Sequence, residues 1–514
     1  MNDQQSTFNN HLSTKYDVII IGAGIGGMSG AIRLAAAAKR VLLLEKNDQV
    51  GGKMGLVEAD GFKWDTGPSV ITMRHVFEDL FKTAGRDLND YLDLRPIEPL
   101  TRYFYQDGTV LNISQTLPET LAQIEAIGGP GDVEGYLSYL AYASRIHRIT
   151  GPVFIYDQPP TPASFLRVPV WEMPRVDPFR TMHGAIKSFV KSPHLRQLLG
   201  RFATYVGASP YLAPATLNVI AHVELNGGVW YPAGGIYSIA AAYEKLCTEL
   251  GIDIQLNASV EQIVTSASGQ VQGVKVNGET ILSPAVVANV DVATVHDKLL
   301  PQSANVIKKS ERLQAAEPSC SGFVLLLGVN VGAQRAAPLP DLAHHNIFFS
   351  QDYEKEFQQI FGDGVMPDDP TIYVAITSKT DKEHALPEHE NWFVLVNAPA
   401  LDQTKWDWEQ KSAGYRDLVL QKLKAHGIDL DGRIVTEKVM TPVDIQDMTG
   451  AFRGALYGTS SNDKWAAFRR PHNKSKEIEG LYFCGGTTHP GGGVPMVTLS
   501  GKVAAEMVLE AVGR

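Results

Sequence analysis

The chain has 514 residues, enough for two or three domains at about 150 residues each. Its composition, 44% hydrophobic and 20% charged, is that of an ordinary globular protein, and 46 basic against 56 acidic side chains leave a formal charge of −10, which argues against a nucleic-acid partner. Cys247, Cys320 and Cys484 lie far apart without metal-ligand spacing, so neither a disulfide framework nor a metal centre is expected. Residues 1–15 are polar, lack an apolar signal core and predict a frayed tail. No apolar run reaches the roughly 18–20 residues of a membrane span, so a soluble or peripheral protein is expected.

The apolar run Val18 to Ile21 has the length and β-branching of a buried parallel strand. It runs into Gly22, Ala23, Gly24, Gly26 and Gly27, a turn that lets backbone approach a pyrophosphate and a helix pack closely on the sheet. Met28 to Lys39 is Ala- and Leu-rich and predicts that helix, its N-terminal amides aimed at the anion. A second strand, Val41 to Leu44, ends in Glu45 and Lys46; an acid there accepts hydrogen bonds from ribose hydroxyls. Gly51, Gly52 and Lys53 follow. This spacing resembles the FAD-binding oxidoreductases of the glutathione-reductase and amine-oxidase type. Lys53 stands where Arg is more usual, keeping the charge and losing the bidentate fork.

From about 70 to 225 the patterning is mixed and largely helical. Pro159, Pro160, Pro162, Pro169, Pro174 and Pro178 exclude a long helix there and leave a lid, a membrane-facing element or a plain surface loop. Arg145, His147 and Arg148 form a basic cluster, either a contact for a hydroxylated substrate end or a solvated helix face. A helix is predicted from Gly234 to Leu250, then short strands at 252–256, 259–264 and 271–276. Ala285 to Val290 reads as a strand returning to the nucleotide-binding sheet. Residues 321–331, 371–377 and 391–397 predict a second, antiparallel sheet.

Near the C-terminus, Leu481 to Cys484 predicts a strand, Gly485 and Gly486 break it, and a helix is expected from about Val497. Between them Thr487 to Pro495, reading TTHPGGGVP, would bring glycine-rich backbone against a planar ligand.

That string, with WDTGP (64–68), GVWYPAGG (228–235) and FRRPH (468–472), resembles the bacterial-type phytoene desaturase family of FAD-dependent carotenoid desaturases. HHNIFFSQDY (344–353), FVLVNAPA (393–400), GALYGTSS (454–461) and VPMVTLSG (494–501) look most like its hydroxycarotenoid 3,4-desaturase branch. The resemblance implies an α/β fold: a Rossmann-type FAD-binding domain from 16–70, 226–300 and 441–514, with a substrate and membrane-associating domain from 71–225 and 301–440. It adds Val260, Gly485, Gly486, Pro495 and Met496 to the expected FAD contacts.

The implied reaction desaturates the C-3,4 bond of a 1-hydroxycarotenoid, one hydrogen leaving as hydride to the flavin and the other as a proton. Phytoene or diapophytoene desaturation, amine oxidation, and isoprenoid escort without catalysis are the alternatives. Expected partners are a long acyclic carotenoid, the inner face of the cytoplasmic membrane as a peripheral surface, and oxygen or a quinone as electron acceptor. Asp65 and His489 are the candidate assisting residues: Asp65 positions the substrate end or caps its turn, and His489 relays a proton or shapes the loop.

Overall fold

A computed structural model describes residues 15–161, 164, 167–332, 338–404 and 406–513; of the prolines above, Pro162 lies outside the described residues. The fold is α/β. Its centre is a five-stranded parallel sheet in the order Leu481–Phe483, Val286–Ala288, Val18–Ile21, Val41–Leu44, Asp253–Gln255. Ile19 pairs with Val286 on one side and with Leu42 on the other. Every residue of Val18–Ile21 and Val41–Leu44 is buried, as continuous apolar runs require when both faces of a parallel sheet are covered. One face packs against helix Ile25–Ala36, which lies beside Tyr237–Glu249 and Val494–Val512. The other packs against an antiparallel ribbon of Val260–Thr265, Val271–Val276 and Glu279–Leu282.

Two helices begin about three residues before their sequence-based starts. The first opens at Ile25 with Gly24 as N-cap, and the last opens at Val494 with Pro495 in its first turn. In both, glycine rather than a capping side chain precedes the helix, so the terminal amides stay uncapped.

The second sheet has seven strands in the order Ile434–Met440, Ser321–Asn330, His389–Ala398, Ile372–Ala375, His345–Phe348, Thr101–Phe104, Val110–Ile113. The three strands expected at 321–331, 371–377 and 391–397 pair antiparallel, as expected, and the sheet becomes mixed only farther out, where His345–Phe348 pairs parallel with Thr101–Phe104. Phe323, Leu325, Val374 and Val396 pack on one face against helix Trp408–Ala425. Val324, Tyr373, Phe393 and Leu395 alternate onto the opposite face.

The proline-rich stretch contains a 3₁₀ turn, Val170–Val176, following the 25-residue helix Pro130–Phe154. Trp171 and Phe179 are 73% and 92% exposed there. Among the described residues no helix is long and apolar enough to cross a membrane.

Candidate active site

A single cavity of about 1590 Å³ joins the glycine-rich turn to the concave face of the seven-stranded sheet. Ligand pockets usually enclose about 300–1,000 Å³, so this one has room for a large cofactor and more. Gly22, Gly24, Gly26, Glu45, Lys46, Gly51, Gly52, Lys53, Val260, Gly485, Gly486, Pro495 and Met496 all line it, as does His489. Ala23 and Gly27 stand behind the wall: the Ala23 amide donates to Glu45 Oε2 at 2.8 Å, and Gly27 packs against Gly22.

Glu45 is 4% exposed, and its second oxygen accepts from the Asn47 amide at 3.0 Å. The carboxylate therefore pins the turn as well as facing the cavity. Glu45→Ala strands the buried Ala23 amide, at a cost of about 1–3 kcal/mol, and frees the half-buried Asn47 amide. The variant is expected to lose most of its flavin on desalting, with Glu45→Gln intermediate, read as the ratio of flavin to protein absorbance. Full flavin content in Glu45→Ala would refute this role.

Lys53 does not point at the turn. Its Nζ donates to the Leu456 carbonyl at 2.8 Å, clamping that loop to the diglycine. Burial pushes the ammonium pKa down, opposed by the Asp291 carboxylate.

Asp65 ends strand Phe62–Asp65 but does not line the cavity, although Thr66 to Ser69 do. Its carboxylate accepts from the Tyr237 amide and the Tyr231 hydroxyl, each at 3.1 Å. Burial pushes its pKa up, and the Ile236 and Tyr237 amides pull it down. Those contacts bind Asp65 to the scaffold, not to a substrate end, and its oxygens cap residues 236 and 237 rather than its own turn.

His489 is 4% exposed, and Nε2 donates to the Asp157 carbonyl at 3.0 Å, tying the flavin-side loop to the proline-rich segment. A carbonyl only accepts, so Nδ1 is the acceptor nitrogen of the neutral ring. Burial pushes the imidazole pKa down to about 4. An unfolded chain, with histidine near 6.5, then binds the proton first, and stability falls as pH drops from about 6.5 to 4. The loss from this group is on the order of 3 kcal/mol. His489→Gln should show a flatter fall in thermal midpoint across that window; an identical slope would exclude the assignment.

Asn289 and Arg470 were not singled out in the sequence. Asn289 follows strand Val286–Ala288, and its Nδ2 donates to the Gly22 carbonyl at 3.2 Å. A Cβ on Gly24, Gly26 or Gly485 would stand 2.7, 2.9 or 2.6 Å from its side chain, so both glycine turns close on this one amide. A lone Asn after a short strand reads as ordinary loop. Arg470 is 9% exposed and donates to the Gly486 carbonyl at 3.0 Å, with burial pushing its pKa down to about 10. It lies inside the FRRPH motif without a spacing signal of its own.

This wall fits FAD. Two uncapped helix N-termini, at Ile25 and Val494, border the same cavity and supply amides for a pyrophosphate and for negative charge on a ring. Gly493 has φ 100° and nothing within 4 Å of where a Cβ would lie, so open space remains beside the second terminus. Glu45 and Val260 present an acid and an apolar surface for the nucleoside half.

Residues 25–509 match the family described as flavin containing amine oxidoreductase, and the chain belongs to that family. It is an FAD-dependent oxidoreductase. It is 38% identical over 497 residues to 4,4'-diapolycopene oxygenase of Methylomonas sp., covering 96% of this chain and 98% of the relative. It is also 38% identical over 496 residues to 4,4'-diaponeurosporene oxygenase of Staphylococcus aureus (strain MSSA476), covering 96% and 97%. Among solved structures, an oxidoreductase from Methanosarcina mazei shares the fold, with TM-score 0.63 and 16% identity over 95% of this chain and 99% of that one.

Proposed function

We propose that this enzyme oxidises one end of a long acyclic carotenoid. The observation that carries the reading is the continuity of the FAD cradle with an apolar channel. The cavity touches Met440, Val324, Leu395, Tyr373, Ile347 and Thr101, one residue from each of six consecutive strands of the second sheet. At about 4.8 Å between strands, five steps span about 24 Å. A slot of that length and character suits an extended polyene better than a compact amine.

Both relatives are named as oxygenases of 4,4'-diapocarotenoids, which favours oxygenation of a terminal carbon, with oxygen as the electron acceptor. C-3,4 desaturation of a 1-hydroxycarotenoid is the second reading, favoured by the motifs at 344–353, 393–400, 454–461 and 494–501. FAD, when bound, would take up two electrons in either case; desaturation then releases one proton from the neighbouring carbon, whereas oxygenation takes its oxygen atom from water, and dioxygen receives the two electrons as hydrogen peroxide. The chain's own residues hold the geometry. Lys53 and Arg470 fix the loops at Leu456 and Gly486, and apolar side chains exclude water along the slot. His489 Nδ1 is the candidate proton acceptor at the flavin loop, a weak base with its pKa at about 4, and Asp65 holds Tyr231 and Tyr237 in the scaffold.

Phe179 both lines the cavity and is 92% exposed, so it marks a mouth. Phe179 and Trp171, both exposed in the same proline-rich stretch, offer apolar surface suited to peripheral docking on the inner face of the membrane, from which an insoluble substrate would enter. The test is incubation of the holoenzyme in liposomes with an acyclic carotenoid hydrocarbon and with its 1-hydroxy derivative, followed by product spectra and masses. Added oxygen at a terminal carbon supports the first reading, and loss of two hydrogens without added oxygen supports the second. No product from either substrate overturns both.

A further inference from the structure

At the Thr101 end of the slot the wall changes character. Arg201 opens the 3₁₀ turn Arg201–Val206, and Glu224 sits in helix Val219–Leu225; they are 4% and 1% exposed and form an ion pair. Arg201 Nε donates to the Tyr103 hydroxyl at 2.7 Å, and Tyr103 belongs to strand Thr101–Phe104. Another guanidinium N–H reaches the Tyr205 hydroxyl at 3.1 Å, and Tyr205 in turn donates to Glu224. This cluster therefore stands five strands away from Met440, at the opposite end of the cavity's contact with the second sheet.

Arg201, Tyr205 and Glu224 all line the cavity, although an oily slot needs no buried charges. Three of the five guanidinium N–H groups have partners among the described residues, which leaves two donors. Tyr353 joins them from the start of helix Tyr353–Phe357, its ring 3.7 Å from where a Cβ on Gly200 would lie. It is 4% exposed and lines the cavity, and its hydroxyl has no hydrogen-bond partner among the described residues. With no partner in the protein wall, that hydroxyl is open to a polar group in the cavity.

We propose that Arg201 and Tyr353 form a binding pocket for an oxygen atom at the far terminus of the substrate chain. The pocket offers donors, so it takes an acceptor. Glu224 already neutralises Arg201, so a neutral carbonyl or hydroxyl is favoured over a carboxylate, which would bring a second negative charge beside Glu224. A chain seated this way carries an oxygen at one end and presents its other end to the flavin. An oxidation at the opposite terminus must therefore supply the preferred substrate. This inference rests on the carotenoid reading of the slot.

The test measures binding separately from turnover. Holoenzyme in detergent micelles is titrated with one acyclic polyene ending in hydrogen, hydroxyl, aldehyde or carboxylate, and affinity is read from quenching of tryptophan fluorescence. The wild-type protein should bind the aldehyde and alcohol about tenfold more tightly than the hydrocarbon, and the carboxylate less tightly than either. In Tyr353→Phe, which removes one oxygen and keeps the ring, the aldehyde-to-hydrocarbon ratio should fall to about threefold. Equal affinities in the wild-type protein, or an unchanged ratio in the variant, would overturn the pocket. Preference for an oxygenated end without turnover of any carotenoid would leave the pocket standing and remove the proposed activity. Turnover without preference would do the reverse.

Discussion

Gly27→Ala is expected to yield protein without flavin. A Cβ on Gly27 would stand 2.1 Å from the Gly22 carbonyl oxygen and 3.1 Å from Asn289 Nδ2. The first is a backbone atom of the turn itself and has no rotamer into which to retreat. Relief requires helix Ile25–Ala36 to lift from the sheet, which carries its uncapped amides away from the anion they are placed to meet. Overpacking of this kind costs about 1–3 kcal/mol in a well-packed interior, and here the displaced atoms are the binding atoms. Gly30→Ala on the same helix is the control: its nearest neighbour would be the Gly501 carbonyl oxygen at 3.4 Å, an ordinary contact. The measurement is flavin absorbance per chain after gel filtration, with circular dichroism to show that the chain is folded. A yellow, stoichiometric Gly27→Ala protein would refute the close-packing argument.

The second large effect is expected at Arg201. Replacing it with Met leaves Glu224 buried without its counter-ion, and breaking such a pair costs about 3–5 kcal/mol. The Tyr205 hydroxyl still donates to Glu224, which offsets part of the loss. Arg201→Met with Glu224→Leu should recover most of the stability, because an apolar pair of similar volume suits the site as well as the ions do. Thermal unfolding followed by flavin release distinguishes the outcomes. Equal midpoints for the wild-type, single and double variants would mean that the pair bears no structural weight. A stable double variant that binds end-oxygenated and hydrocarbon polyenes alike is the expected signature of a pair kept for recognition.

The strand, glycine turn and strand-end acid that open the cavity were legible because their determinants are local. Val18–Ile21, the glycines and Glu45 form one short run, and each constraint (an apolar strand, a tight turn, a strand-end acid) has its own residue type. Their strand partners Asp253–Gln255, Val286–Ala288 and Leu481–Phe483 were visible as apolar runs, but nothing local states their order in the sheet. The three antiparallel strands of the second sheet were legible as apolar runs, but Thr101–Phe104 and His345–Phe348, four-residue strands whose parallel pairing is set by tertiary packing, were not. Asp65 illustrates a different limit. A carboxylate beside a diglycine motif reads as functional, yet the Tyr231 and Tyr237 groups that occupy it come from more than 160 residues away. Arg201, Glu224 and Tyr353 were unreadable for the same reason, their proximity being a product of the fold.

The first two strands, paired with each other by Leu44, gain their outer neighbours only when Asp253–Gln255 and Val286–Ala288 arrive, and Leu481–Phe483 completes the sheet last. Helix Val494–Val512, whose start borders the cofactor cavity, emerges from the ribosome later still. Nascent chains of intermediate length therefore expose an unpaired apolar edge and have no complete nucleotide pocket. Such long-range pairing is slow and prone to aggregation. Emergence of helix Val494–Val512, and not translation of the glycine-rich turn, is the earliest moment at which the cofactor pocket can be complete, so yield should track riboflavin supply and chaperone capacity in the expressing cell.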